Sequence, residues 1–353
     1  MIYITSNNDG KQWGKFLNYF SNYDIYYFYE YMNAFYMHGD GKPFLFFYEG
    51  KGLRGICAYM LRDISEETWA KAEIMKDKFY DAITPYGYGG WIFDGDTSTE
   101  NIKSFLNEYT LFMKENNIVC TFTRWHPLLQ NQDVFRGISN VIDLGKTIAI
   151  DLSSEQTIWE NITSKNRNMI RKAEKNGVEI HHAKDPALFN DFKVIYNATM
   201  DRDNADKYYY FGDNFYESIH NDLYDNYEMF YATLNHKIIA MSIILYANGF
   251  MNYHLSGSLA EYRNLAPSNL LLYKAALWGC NKGFKTFHLG GGVGSSEDNL
   301  YKFKAAFNRH SNLQFSIGKE IFDKEMYDEL VNIRKMNDKE FDENSNFFPL
   351  YRS

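Results

Sequence analysis

The sequence predicts an α/β chain of the α+β kind, built as two blocks that each hold a mixed, mostly antiparallel sheet flanked by helices. Three observations carry this. The 353 residues correspond to roughly two domains of about 150 residues each. Apolar runs of strand length alternate with segments of helical apolar spacing, with no short-period repeat and no low-complexity linker. Three strand-like runs joined by two turn dipeptides lie between 228 and 256, the pattern of an antiparallel meander.

In the first block, residues 1–5 read as a strand. Residues 43–48 and 53–61 are apolar runs around Glu49-Gly50-Lys51-Gly52, a hairpin signature. Residues 101–116 have helical spacing, with Phe105, Tyr109, Phe112 and Met113 on one side. Residues 118–122 read as a buried strand, and the extended segment 141–152 leads out of the block. The expected division is 1–150, joined by the closing segment 321–353, and 151–320.

The second block opens on Ser153 and Gln156, which have capping-box spacing ahead of Ile158 and Trp159. A helix is predicted over 164–176, ended by Gly177, then a strand at 178–181 and a helix over 186–200. The meander strands are 228–234, 237–246 and 250–256, with turns at Asn235-His236 and Asn248-Gly249. Pro267 opens a helix to residue 282, whose Ala275, Ala276 and Gly279 permit close packing on a sheet. A strand at 285–289, a glycine loop, a helix from 299, a strand at 313–318 and a helix at 323–336 complete the chain.

Composition bounds the function. With 45% hydrophobic and 23% charged residues the chain is neither disordered nor fibrous. A net charge of −8 argues against a surface built for DNA, so contact with phosphate or RNA requires a local basic patch. Cys57, Cys120 and Cys280 are sparse and odd in number, as expected of reduced thiols. No run approaches the roughly 18 apolar residues of a membrane span, and the N-terminus lacks the basic-then-apolar layout of a signal peptide. A cytoplasmic protein is expected. The 29 Tyr and 28 Phe are scattered along the chain, which favours compositional bias over a dedicated aromatic groove.

Three segments carry candidate chemistry. On the helix 164–176, Arg167, Arg171 and Lys175 are four apart and share a face. Such a face grips phosphate or simply meets solvent. Gly290, Gly291, Gly292 and Gly294 lie between a strand and a helix, where backbone amides can approach a ligand. They fit neither a Walker A loop nor a dinucleotide fingerprint. Arg263-x-x-Ala266-x-Ser268 precedes a helix in a place where amides can bind a pyrophosphate, but Pro267 lacks an N–H. The nine histidines form no metal motif, and no metal is assigned.

The order helices, meander, helix, strand, helix, strand resembles the GCN5-related N-acetyltransferase (GNAT) fold, and the first block reads as a second, degraded copy of it. Residues 164–177 resemble the opening of the second domain of FemAB-type transferases. Tyr253-His254-Leu255-Ser256-Gly257-Ser258 and Ala266-Pro267-Ser268-Asn269-Leu270-Leu271 are similar to their acyl-site half. Residues 287–294 with Leu300-Tyr301-Lys302-Phe303-Lys304 resemble their glycine loop and Phe-Lys element, and Phe348-Pro349-Leu350-Tyr351-Arg352 resembles their tails. The resemblance implies two tandem GNAT domains without the coiled-coil arm of some members. It also implies transfer of an acyl or aminoacyl group to an amine of a phosphate-bearing cell-wall or glycan precursor, such as one of peptidoglycan. The donor stays open between aminoacyl-tRNA, bound at its 3′ end, and acyl-coenzyme A.

The resemblance assigns Arg167 or Arg171, with Lys175, to precursor phosphate, and Lys304 to the acyl site. His254 or Tyr253 is the candidate proton carrier. Gly290, Gly291, Gly292, Gly294, Arg263 and Phe303 complete the expected binding set, converging on one cleft. Two other readings stand beside this one: a coenzyme A-dependent N-acyltransferase for a small amine or sugar nucleotide, and a GNAT scaffold kept for binding alone.

Overall fold

The computed structural model describes residues 1–6 and 10–353. The chain forms two compact units, residues 1–144 with 315–353 and residues 145–314. The first begins with β1 (Ile2–Ser6), α1 (Gly10–Leu17), α2 (Tyr29–His38), β2 (Lys42–Gly50), β3 (Leu53–Asp63), β4 (Tyr80–Ile83), β5 (Ile92–Gly95), α3 (Thr99–Glu115) and β6 (Ile118–Arg124). Strand β7 (Val141–Asp151) leads into the second unit. That unit continues with α4 (Glu155–Asn161), α5 (Ser164–Lys175), β8 (Glu179–Ala183), α6 (Leu188–Arg202), α7 (Asp213–Asp222), β9 (Tyr227–Leu234), β10 (Lys237–Ala247), β11 (Phe250–Ser258), α8 (Pro267–Asn281), β12 (Thr286–Gly290) and α9 (Asn299–Ala305). Strand β13 (Leu313–Ile321) and α10 (Lys324–Asn337) return the chain to the first.

The sheet of the first unit runs β1-β2-β3-β4-β6-β13, with β5 also paired to β3; only β4 and β6 are parallel. The β2–β3 hairpin turns on Lys51 and Gly52, both at positive φ, the backbone that matches strand twist in a two-residue turn. On α3, Ile102, Phe105, Tyr109 and Met113 are buried, spaced three or four apart as one helical stripe demands. They pack with Phe46, Tyr48 and Trp91. A second cluster holds Trp69, Tyr327, Leu330 and Tyr351, so the tail is part of this unit's interior.

The second sheet runs β7-β12-β11-β10-β9-β8, antiparallel except for β11–β12. Both meander turns have the expected backbone, with Asn235, His236, Asn248 and Gly249 at positive φ. Helix α8 buries Leu270, Leu271, Leu272, Ala275, Ala276 and Gly279. A Cβ at Gly279 would lie 2.2 Å from the Met251 sulfur, so the glycine sets how near the helix sits to the sheet.

Two local expectations change. The cap of α4 is Ser154, whose hydroxyl accepts from Thr157 N–H, while the amide of Ser153 is taken by Asp151 at 2.9 Å. Helices α1, α2 and α7 occupy stretches to which the sequence assigned no element. In α7, Phe215, Tyr216 and Ile219 are buried, but Asp, Asn and His between them break up the apolar signal.

Candidate functional site

The parallel pair β11–β12 is in register only at Phe250–Thr286, Met251–Phe287 and Asn252–His288. Strand β11 then runs on to Ser258 and β12 to Gly290 without further pairing. Their carboxyl ends therefore leave a gap in the sheet, the position where open sheets present backbone groups to ligands. On the other side of β11, Ile243 faces Leu255 and Ile244 faces Tyr253. His254 is the extra residue of a β-bulge at the edge of that gap, and a bulge withdraws backbone from the ladder.

The glycine loop continues β12 across the gap. Gly290 has φ 78°. A Cβ on Gly291 would lie 2.8 Å from the Lys146 carbonyl, and one on Gly292 would lie 2.1 Å from that of Ser296. Space, not only backbone freedom, excludes a side chain at both. Asp298 then ties loop to helix. One carboxylate oxygen accepts from Tyr301 N–H at 2.8 Å, capping α9, and the other from Val293 N–H at 3.2 Å. These amide bonds hold its pKa down.

Lys304, on the last turn of α9, is 9% exposed. Its ammonium donates to the Gly291 carbonyl at 2.7 Å, and its other protons have no protein acceptor among the described residues. Burial lowers its pKa to about 8, with Asp298 opposing. A buried ammonium with donors in reserve is suited to a developing negative charge.

His254 is partly exposed, and the packing around its ring lowers its pKa to about 3. The imidazole is therefore neutral at physiological pH and a weak base. Burial pushes the Tyr253 phenol up, against the pull of the Ser256 and Ser242 hydroxyls.

On α5 the arginines are drawn to one indole. The guanidinium carbons of Arg171 and Arg167 lie 5.1 and 5.9 Å from the Trp159 ring centroid. Arg167 also donates to the Trp159 carbonyl, and Arg171 to the Asn168 side chain. Neither pairs with a carboxylate among the described residues, so both keep donors for an anion. Lys175 is exposed and joins neither. The cap of α5 is linked to the segment after Lys304, because Thr163 N–H donates to the Ala306 carbonyl at 3.0 Å.

Arg263 is exposed, and its carbonyl accepts from Ala266 N–H. Ala266 stands at φ 57°, a left-handed backbone usually left to glycine. Phe303 packs edge-on against Phe307 with centroids 5.4 Å apart, facing the core.

Three residues passed over in the sequence belong here. Asn166, 2% exposed, accepts from Asn269 at 2.7 Å, yet its own amide nitrogen has no partner beside the first turn of α8. Arg202 donates to the Ser258 carbonyl at the end of β11 at 3.1 Å. Asp298 had a legible signal, an Asp three residues before a helical tyrosine; the other two had none. Among the described residues no group of His, Cys, Asp or Glu is arranged to hold a metal, and no helix is long and apolar enough to cross a membrane.

The stretch from the α5 cap to Lys304 coincides with a family model: residues 163–304 match the acetyltransferase (GNAT) domain. The second unit thus carries a GNAT domain. The structure of FemX superposes with a TM-score of 0.63 at 13% identity, covering 90% of this chain and 97% of that one. A conserved protein from Bacteroides thetaiotaomicron gives 0.56 at 11%, covering 90% and 99%. L-PGS from Bacillus licheniformis gives 0.53 at 13%, covering 95% and 97%. At these identities the likeness is one of fold, a FemAB-like GNAT fold. No curated protein matches the chain in sequence.

Within the GNAT domain the gap opens between two internal strands, with the bulge at His254 on β11 and the Gly291 carbonyl that holds Lys304 just past the end of β12. This is an acyltransferase fold with a buried amine at the glycine loop that follows β12.

Proposed function

We propose that the protein moves an acyl or aminoacyl group onto an amine of a phosphate-bearing cell-wall or glycan precursor, in the cytoplasm. The observation that carries this is Lys304, a buried ammonium held at the glycine loop by one carbonyl with protons to spare. The acceptor amine attacks the acyl carbonyl carbon, and the carbonyl pair of electrons moves to oxygen. Lys304 donates to that oxyanion. Collapse expels the donor's alkoxide or thiolate, which takes up the proton lost by the amine. Arg167 and Arg171, stacked on Trp159, hold the acceptor phosphate.

Aminoacyl-tRNA is the favoured donor, because Pro267 removes an amide from the first turn of α8 and Ala266 carries a side chain at its left-handed N-cap. A second reading, acyl-coenzyme A as donor, is favoured by the match to an acetyltransferase domain and by the orphaned Asn166 amide beside that turn.

Thermal-shift measurements with UDP-sugar peptide precursors, an aminoacyl-tRNA mimic and acetyl-coenzyme A test the proposal. A ligand at a hundred times its dissociation constant adds about 2.7 kcal/mol of stability. Stabilisation by precursor and tRNA mimic, followed by transfer of labelled amino acid, is expected. A micromolar constant for acetyl-coenzyme A with acetyl transfer to a small amine selects the second reading. No stabilisation by any of the three overturns both.

A further inference from the structure

The first unit carries a groove of about 480 Å3 between the turn after α1, strand β5 and the loop 129–134. It contains none of the candidate site residues described above, and its volume is in the range of ligand sites, roughly 300–1,000 Å3.

Its floor is apolar. Phe93 is partly exposed there and stacks, 11° from parallel, on the buried Trp91 behind it, and Leu129 and Val134 extend it. Its rim is polar: Asn18, Ser21, Asn22, Asp94, Thr97 and Gln130. None of these six side chains has a hydrogen-bond or ion-pair partner among the described residues. No lysine or arginine lines the groove.

The rim is held in place. Asn131 is buried, and its side chain accepts from His126 N–H at 2.9 Å while donating to the carbonyls of Gly89 and Trp91 at 2.9 and 3.1 Å. That fastens the loop to the chain entering β5. The neighbouring Gln130 sits at φ 49°, a left-handed conformation disfavoured for a non-glycine residue. Backbone bonds from its N–H to His126 and to its carbonyl from Asp133 keep it there. A strained backbone thus fixes the direction of a side chain that makes no bond of its own, a pattern that points to a ligand.

The chemistry of the lining selects the ligand class. Arg54, stacked on the lining Tyr19 at 5.0 Å, is engaged by Glu49 at 2.8 Å, and Asp94 repels an anion, so the groove suits phosphate or carboxylate poorly. Amides offer a donor and an acceptor side by side, and a carboxylate accepts two hydroxyls. An aromatic floor suits a C–H face. We propose that this groove is a carbohydrate subsite taking a neutral, hydroxyl-rich sugar unit. The proposal is independent of the acyl-transfer reading.

Saturation-transfer NMR and calorimetry on the full chain test it, with N-acetylglucosamine, its β-1,4-linked dimer and maltose as probes and inorganic phosphate as competitor. At least one saccharide is expected to bind with a constant of about 10 mM or tighter, saturated most strongly on its C–H face. Asp94→Ala and Gln130→Gly are both expected to weaken it about tenfold or more. Both sites are exposed, and glycine relieves the backbone strain, so thermal unfolding of each variant verifies that it is folded. Absence of saturable binding by all three saccharides overturns the proposal. So does binding that both variants leave unchanged, or displacement of the sugar by phosphate.

Discussion

Lys304 and Gly291 are joined by a single bond of 2.7 Å from ammonium to carbonyl, and that bond fixes the one buried lysine among the described residues of the GNAT domain just past the end of β12, beyond its last pair with β11. The carbonyl satisfies one proton of the three. If the rest serve the oxyanion, Lys304→Ala lowers kcat roughly a hundred- to a thousandfold with little change in KM. Lys304→Arg does not restore it, because a planar fork does not fill the place of a compact ammonium. Steady-state kinetics of the two variants checks this; unchanged kcat in Lys304→Ala removes the lysine from the reaction.

The same residue sets a pH dependence. Burial depresses its pKa to about 8, below the unfolded value near 10.4. The folded state therefore releases this proton first, and wild-type stability gains as pH rises from about 8 to about 10. In Lys304→Met that gain disappears. Urea unfolding of both proteins at the two pH values measures the difference. Activity carried by the ammonium form falls over the same interval.

Neutral His254 has its own signature. With burial holding its pKa near 3, its ring resonances stay unchanged between pH 7 and pH 5, and it contributes no inflection to kcat/KM there. Titration of this ring near the ordinary value of about 6.5 would restore it as a proton carrier.

Trp159 should behave as a member of the phosphate site, although it has no charge. Arg167→Ala and Arg171→Ala each remove a charge-assisted contact of about 1.5–3 kcal/mol, raising the acceptor KM roughly ten- to a hundredfold. Trp159→Leu frees both guanidiniums and is expected to raise KM in the same direction while kcat holds. An acceptor KM that ignores all three substitutions places the arginines on an inert surface.

A buried charge cluster governs the first unit. Asp81 is fully buried between Arg352 and Arg62, each 2.6 Å from one carboxylate oxygen, and the Tyr351 hydroxyl donates to it at 3.0 Å. Burial alone would raise its pKa, but the two arginines outweigh that and hold it low. Its folded pKa lies below the unfolded one, so this stability is present above about pH 4 and is lost as pH falls through the folded value. Arg352→Ala leaves a buried charge short of a partner and costs about 3–5 kcal/mol. Denaturant unfolding at pH 7 and pH 3 shows it, with the gap between wild type and variant shrinking in acid.

Much was legible in the chain itself. The meander turns at Asn235-His236 and Asn248-Gly249, the glycine that ends α5 and the small residues of α8 follow from backbone sterics and period alone, because each depends on residues a few positions apart. The glycine loop and Lys304 were legible as types in order, and their contact was not, since thirteen residues and a helix cap at Asp298 separate them. Tertiary structure alone decided three things. Strands β11 and β12 part after three pairs, which depends on register between segments far apart in sequence. Asn166 meets Asn269 across two helices and leaves an amide orphaned. Burial around Lys304 and His254 moved their proton affinities, and burial belongs to the packed neighbours, not to the residue, so no local pattern announces it.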